Sequence, residues 1–245
     1  MDLAVILAGA GEGRRMGALG PKLMLDIGGR PALSRVVISF LNVSAVREIV
    51  AVVPPSLLAD AERALAAARA HAAGHALAAA PHSQPVRLAA VPGGATRQES
   101  VRLGLRALAL SLPYVAVHDV ARVLVKPSLI QRVLVAARAT RAAIPALPLH
   151  DSVKEVMSGR VVRSVARETL QAAQTPQIFA RDILARAHAR ALEENVAATD
   201  DATLVERMGV EVAVVPGDSS NLKLTEPGDL IVLEALLQAE TQAEA

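Results

Sequence analysis

The sequence predicts an α/β protein: a Rossmann-like, mostly parallel sheet flanked by helices, with a β-hairpin arm projecting from it. Three observations carry that prediction. Short runs of Val, Ile, Leu and Ala recur along the chain and are continuous, as in strands covered on both faces. Longer stretches with helical patterning separate them, the rhythm of stacked strand–helix–strand units. The 245 residues are 52% hydrophobic but only 1% aromatic, so aliphatic side chains must fill the core. That length is enough for one large buried core.

Taken in order, the first strand is expected at Leu3–Leu7, followed by a glycine-rich loop and a helix over Pro31–Leu41. Glu48–Val53 reads as the second strand. Leu57–Ala80 is Ala-rich, with His71, Gly74 and His75 inside it; it reads as a surface helix plus a loose extension, an insertion at about 57–85 outside the site. Strands follow at Val86–Val91, Tyr114–His118 and Ala143–Leu147, with helices at Arg97–Leu110 and Lys126–Ala139 between them. Residues 148–167 break the rhythm: Ser152–Met157 and Arg160–Val165, joined by Ser158-Gly159, read as a hairpin. Such an arm would project from a parallel sheet and not extend it. Ala180–Glu193 reads as a helix, Val210–Val215 as the last strand and Pro227–Ala239 as the last helix. Pro31, Pro127 and Pro227 stand at helix starts, where the missing N–H is no loss. Residues 1–239 are expected to form a single domain and 240–245 a frayed tail.

Composition narrows the function. The formal charge is only +2, although the pI is about 9.4. With no cysteine and one tyrosine, few groups titrate between neutrality and the basic range, so a small arginine excess lifts the pI far. Neither a concentrated basic face nor aromatic stacking platforms are present, which excludes a nucleic-acid partner. No run approaches the eighteen apolar residues of a membrane span. The start, Met1-Asp2-Leu3-Ala4-Val5, lacks the basic region of a signal peptide, and the cysteine-free chain fits the cytoplasm. Of 26 basic residues only Lys22, Lys126, Lys154 and Lys223 are lysines. Each is singled out, because an ammonium is a compact charge suited to a phosphate oxygen.

The loop after the first strand reads Ala8-Gly9-Ala10-Gly11-Glu12-Gly13-Arg14-Arg15-Met16-Gly17. Alternating glycines let backbone N–H groups close on an anion, and in an open parallel sheet this loop lies at the ligand-binding edge. Two arginines follow at once, so a polyphosphate is the natural occupant. The dinucleotide fingerprint fails, since its third glycine would fall on Arg14 or Met16, and no acid ends the second strand. The Walker pattern fails too, because Lys22 stands between Pro21 and Leu23.

The stretch from Leu7 to Leu33 instead resembles the signature of enzymes that join a nucleoside triphosphate to a sugar or polyol phosphate. Further segments make the chain similar to the 2-C-methyl-D-erythritol 4-phosphate cytidylyltransferases of isoprenoid synthesis. They are Gly93-Gly94-Ala95-Thr96-Arg97-Gln98-Glu99-Ser100-Val101, His118-Asp119-Val120-Ala121-Arg122, Asp151-Ser152-Val153-Lys154 and Ser164-Val165-Ala166-Arg167. Gln174-Thr175-Pro176-Gln177, Ala198-Thr199-Asp200-Asp201-Ala202 and Asn221-Leu222-Lys223-Leu224-Thr225 complete the set. Departures stand at Val120, Val123, Ser152 and Ala166.

The resemblance implies roles. Ala8, Gly9, Ala10, Gly11, Glu12 and Gly13 would wrap the triphosphate of CTP, and Gly93, Gly94, Arg97 and Ser100 would hold the cytosine. Arg15 and Lys22 would offset charge developing at the α-phosphate. Arg122, Ser152, Arg167, Thr199 and Lys223 would hold the polyol phosphate, Arg167 reaching the neighbour's site across a homodimer. Asp119 would hold Mg²⁺ or another divalent cation, while His118 reads as structural. The acceptor phosphate is already ionised near neutral pH, so no general base is required. A sister enzyme acting on another polyol phosphate, such as ribitol 5-phosphate, stays open. So does a nucleotide-binding protein without catalysis; an NAD(P)-dependent oxidoreductase is disfavoured by the failed fingerprint.

Overall fold

The computed structural model describes residues 2–10, 20–74 and 85–244. Gly11, Glu12, Gly13 and Arg15, assigned to the triphosphate from sequence, lie outside the described residues, as does most of the extension after the Ala-rich helix.

The first half of the chain alternates as expected: β1 (Leu3–Ala8), α1 (Ala32–Leu41), β2 (Val46–Val53), α2 (Leu58–Gly74), β3 (Arg87–Pro92), α3 (Arg97–Ala107), β4 (Tyr114–Asp119), α4 (Pro127–Thr140) and β5 (Ala142–Pro148). The hairpin follows as β6 (Val153–Met157) and β7 (Arg160–Val165). Then come β8 (Gln171–Ala173), β9 (Gln177–Ala180), α5 (Arg181–Glu193), α6 (Asp201–Glu206), β10 (Ala213–Pro216) and α7 (Pro227–Glu244).

The sheet runs β10-β5-β9-β4-β1-β2-β3, with β8 against β5. Parallel pairing joins β4, β1, β2 and β3, so the chain reverses its direction of travel at β1. The carboxyl edge between β1 and β4 is the crevice such a reversal opens. Ala8 pairs with Asp119 there, setting the end of the glycine loop's strand beside the acid. Leu3 through Leu7 are fully buried, as continuous apolar strands under two helix layers should be. Each large apolar side chain of this kind contributes roughly 1.5–3 kcal/mol by leaving water.

The sheet is mostly parallel, as expected, with β9 inserted antiparallel to both β4 and β5. The sequence of β9, Gln177-Ile178-Phe179-Ala180, is too short to stand apart from the helix that follows, and Ala180 ends the strand where the sequence places it in the helix. The last strand starts at Ala213 and not at Val210, and α6 has no counterpart in the sequence reading. Its six residues fall short of two helical turns. That helix holds through Asp200, whose Oδ1 accepts from Thr203 N–H at 3.0 Å.

The hairpin forms its own two-stranded sheet. Ser158 and Gly159 both take positive φ, 50° and 75°, the pairing a tight hairpin turn demands. A second, smaller core of Ile27, Ala32, Val123, Leu124, Leu224 and Leu233 fixes the segments that carry Lys22, Arg122 and Lys223 under α7. Among the described residues no helix is long and apolar enough to cross a membrane.

Candidate active site

Asp119 ends β4 and is the centre of the site. Its backbone N–H donates to Thr175 Oγ1 at 3.1 Å, and the Thr175 hydroxyl faces His118 Nδ1 at 3.0 Å. The other ring nitrogen, Nε2, lies 3.1 Å from the Arg122 carbonyl, which can only accept. Nε2 therefore carries the proton and Nδ1 accepts from Thr175. His118 is fully buried, with its ring edge-on to Phe40 at 5.3 Å, and burial lowers its pKa to about 4. A neutral imidazole thus braces both the acid and the Arg122 loop from behind.

The carboxylate of Asp119 faces two cations. Arg97 Nε donates to Oδ1 at 2.9 Å, and Lys223 Nζ donates to Oδ2 at 2.6 Å. Burial pushes the Asp119 pKa up, but Arg97 and then Lys223 outweigh it and hold the carboxyl well below the usual carboxylate range. Arg97 reaches on to Asp201, with Nη1 donating to Oδ2 at 2.8 Å, and Asp201 Oδ1 lies 2.9 Å from His188 Nε2. Burial opposes the charge on Arg97, yet the two carboxylates more than offset it and raise its pKa.

Lys22, from the opposite end of the sequence, anchors the segment that follows Lys223. Lys22 Nζ donates to the carbonyls of Leu224 at 3.0 Å and Thr225 at 2.9 Å, the two residues after Lys223. The segment is pinned by Leu224 N–H on Ala121 O at 2.7 Å. Arg122 crosses behind it, Nη1 donating to Asn221 O at 2.8 Å and Nη2 to Ala173 O at 3.2 Å.

A cavity of about 230 Å³, which Lys22 does not line, has walls that include Arg97, Asp119, Arg122, Gln177, Thr199 and Lys223. All of these except Gln177 are residues that the sequence assigns to a ligand or a metal. Gly93, which the resemblance assigns to the nucleotide, packs closely: a Cβ there would lie 2.3 Å from the Ala10 Cβ and 2.9 Å from Ser100 Oγ. Only glycine lets the loop after β3 close on the loop after β1. Gly9 is less confined, with Val52 O and Val120 Cγ2 each 3.3 Å from where its Cβ would stand. The Ser100 hydroxyl donates to Thr96 O at 2.8 Å and accepts from Gly94 N–H at 3.1 Å, so it shapes the Gly93–Gly94 loop from beneath.

Ser152 and Arg167 are exposed on and beside the arm, and neither lines the cavity. Arg167 Nη1 bonds the His150 carbonyl, and Lys154 Nζ bonds Ser164 Oγ at 2.6 Å within the arm. Three polar residues have no role in the sequence reading. Gln177 is buried; its Oε1 accepts from the N–H groups of Asp201 and Ala202, and its Nε2 donates to Asp200 Oδ2 at 2.7 Å. It sets the start of α6 and therefore the place of Thr199. Asp201 and His188 are the others, and only the paired acids at 200–201 hint that one of them faces inward.

A divalent cation is expected at Asp119. The described residues hold no group of three or more acidic, His or Cys side chains able to cage a metal alone. One ionised carboxylate at a phosphate-sized cavity fits Mg²⁺, which takes one or two carboxylates and completes its shell with substrate phosphates and water.

Comparison with known proteins agrees with this geometry. The family model described as 2-C-methyl-D-erythritol 4-phosphate cytidylyltransferase matches residues 3–239. The enzyme of that name from Bacillus licheniformis is 36% identical over 244 residues, covering 100% of this chain and 99% of that one. The one from Frankia casuarinae is 41% identical over 237 residues, covering 96% and 81%. The crystal structure of the Thermus thermophilus enzyme superposes with a TM-score of 0.75 at 35% identity, covering 97% and 100% of the two chains. The chain therefore belongs to the 2-C-methyl-D-erythritol 4-phosphate cytidylyltransferase family and is a cytidylyltransferase.

Proposed function

We propose that this cytidylyltransferase, which transfers CMP from CTP to 2-C-methyl-D-erythritol 4-phosphate for non-mevalonate isoprenoid synthesis, works by positioning two anions without a general base. The observation that carries the reading is the convergence of Arg97 and Lys223 on Asp119 at the carboxyl edge of β4, with Lys22 fastened to the backbone just after Lys223. The acceptor's phosphate attacks the α-phosphorus in line and pyrophosphate leaves. With a second pKa of about 6 that phosphate is already the nucleophile near neutral pH. His118 is neutral and buried, with Nε2 on the Arg122 carbonyl and Nδ1 on the Thr175 hydroxyl, which fits a bracing role and not proton transfer.

Lys22 and Arg15 stabilise charge at the α-phosphate; Lys223, Arg122 and Thr199 place the acceptor. Asp119, with triphosphate oxygens, would hold Mg²⁺ or another divalent cation, whose charge offsets that of the phosphates. In this reading Lys223 leaves Asp119 Oδ2 for the acceptor phosphate and frees that oxygen. Arg97 stays on Asp201 and keeps Oδ1 in place.

A homodimer belongs to the same proposal. Val156, Met157, Val161 and Val162 on the arm are 54–67% exposed, and an isolated two-stranded hairpin is marginal in water. A second copy would cover that apolar surface and accept Arg167 at its acceptor site. A reaction that consumes CTP belongs in the cytoplasm, and we assign it there.

The product tests the reading. Phosphorus NMR after incubation with CTP, Mg²⁺ and 2-C-methyl-D-erythritol 4-phosphate should give the coupled doublet pair of an unsymmetrical diphosphate diester. Free CMP with unchanged acceptor would contradict it.

A further inference from the structure

A second cavity, of about 570 Å³, opens between α1, the start of α4 and α7. Three cations line it, Arg30, Arg35 and Lys126, against one carboxylate, Glu240, whose Oε1 lies 2.9 Å from Lys126 Nζ. Ile38, Val123, Leu124 and Leu237 add apolar surface beside them. Arg35 is held in place, its Nε and Nη2 donating to the carbonyls of Ile27 and Gly28. Arg30 Nη2 faces His71 Nδ1 at 3.4 Å. Five N–H donors per guanidinium leave several on each for a ligand. Burial and then the neighbouring Arg30 disfavour the charge on Arg35, and Asp26 offsets this only in part. Two like charges are thus held beside an open volume, where an anion between them is the matching occupant.

The cavity is joined to the catalytic centre by a short path. Its wall residues Val123 to Lys126 directly follow Arg122 in the chain. Lys126 Nζ also stands 3.9 Å from Asp218 Oδ2. The backbone of Asp218 exchanges two hydrogen bonds with the Gln174 side chain, which lines the catalytic cavity.

We propose that this cavity is a second binding site, separate from the CTP site, for a small organic phosphate bearing a short apolar tail. The phosphate lies among Arg30, Arg35 and Lys126, and the tail lies against Leu124 and Leu237. Neither half alone accounts for the lining: inorganic phosphate leaves the apolar wall in water, and a neutral hydrocarbon leaves the remaining guanidinium donors unused.

The test is calorimetric titration of the full chain with n-butyl phosphate while CTP and Mg²⁺ saturate the catalytic site. The result expected is one further equivalent bound, with inorganic phosphate weaker and n-butylammonium silent. The double variant Arg30→Gln, Lys126→Gln should lose affinity by about tenfold or more, the scale of two charge-assisted contacts, with pyrophosphate release unchanged. Arg30→Lys, which keeps the charge, should stay within a few-fold. No heat in the presence of CTP overturns the proposal. So does equal affinity in the double variant, or equal affinity for the ammonium compound.

Discussion

At the scale of single residues, the charge of Asp119 is shared between Arg97 and Lys223, and Arg97 is shared in turn with Asp201. Arg97 touches two carboxylates, neither more than about a tenth exposed, so its removal strands both of them. Arg97→Ala should destabilise the fold by about 3 kcal/mol, the cost of breaking a buried pair, readable in urea unfolding without nucleotide. A residue that only held cytosine would leave that transition in place. Lys22→Ala and Lys223→Ala should each lower turnover on the order of a hundredfold, measured as pyrophosphate release. Turnover within a few-fold of the parent would remove that lysine from the mechanism. His118 gives a pH signature. Its folded pKa is about 4, below the roughly 6.5 of an unfolded imidazole, so only the unfolded chain takes up the proton between those values. Stability is therefore full above about pH 6.5 and falls by on the order of 3 kcal/mol toward pH 4. His118→Gln should flatten the unfolding midpoint over that window; an unchanged slope would assign the effect to other groups. At this scale the cations are legible in the sequence and their partners are not. Lys22 and Lys223 stand out as two of only four lysines, whereas Asp119 and Arg122 are picked out by the motif resemblance. Gln177, Asp201 and His188 do not, because a buried polar residue looks like a surface one until the fold closes over it.

At the scale of elements, two loops meet at the carboxyl edge of β1 and β3, and their distance is set by absent side chains. A methyl on Gly93 would stand 2.3 Å from the Ala10 Cβ, so Gly93→Ala must push the two loops apart. It should weaken CTP binding by tenfold or more, about 1.4 kcal/mol, in equilibrium titration, while acceptor binding changes little. Affinity for CTP equal to the parent's would mean that the nucleotide does not bridge these loops. Strands whose apolar runs are long and bounded by turn residues are legible, β1, β2 and β4 above all. The antiparallel β9 is hidden because its pairing is decided by distant neighbours, Tyr114–Val117, and not by its own four residues. The hairpin is legible from one dipeptide, since Ser158 and Gly159 must both take positive φ.

At the scale of the whole molecule, Ser152 and Arg167 stand apart from the cavity in one chain, and the proposed dimer would bring Arg167 to a neighbour's site. Replacing Val156 and Val162 by Ser should give a monomer in light scattering and lower turnover with it. If Arg167 acts across the interface, mixing the inactive Lys22→Ala and Arg167→Ala variants rebuilds one intact site per mixed dimer. About a quarter of parental activity should return, because mixed dimers are about half of a random pool and half their sites are whole. No recovery would return Arg167 to its own chain. The overall architecture follows from the alternation of apolar runs with helices, whereas the assembly can be inferred only from resemblance, since exposed valines look ordinary in sequence. The most direct measurement of the central claim is pyrophosphate release with CTP and Mg²⁺, comparing 2-C-methyl-D-erythritol 4-phosphate, ribitol 5-phosphate and no acceptor. Release with the first alone is the result predicted. Release with ribitol 5-phosphate alone, or silence with both acceptors, would contradict it.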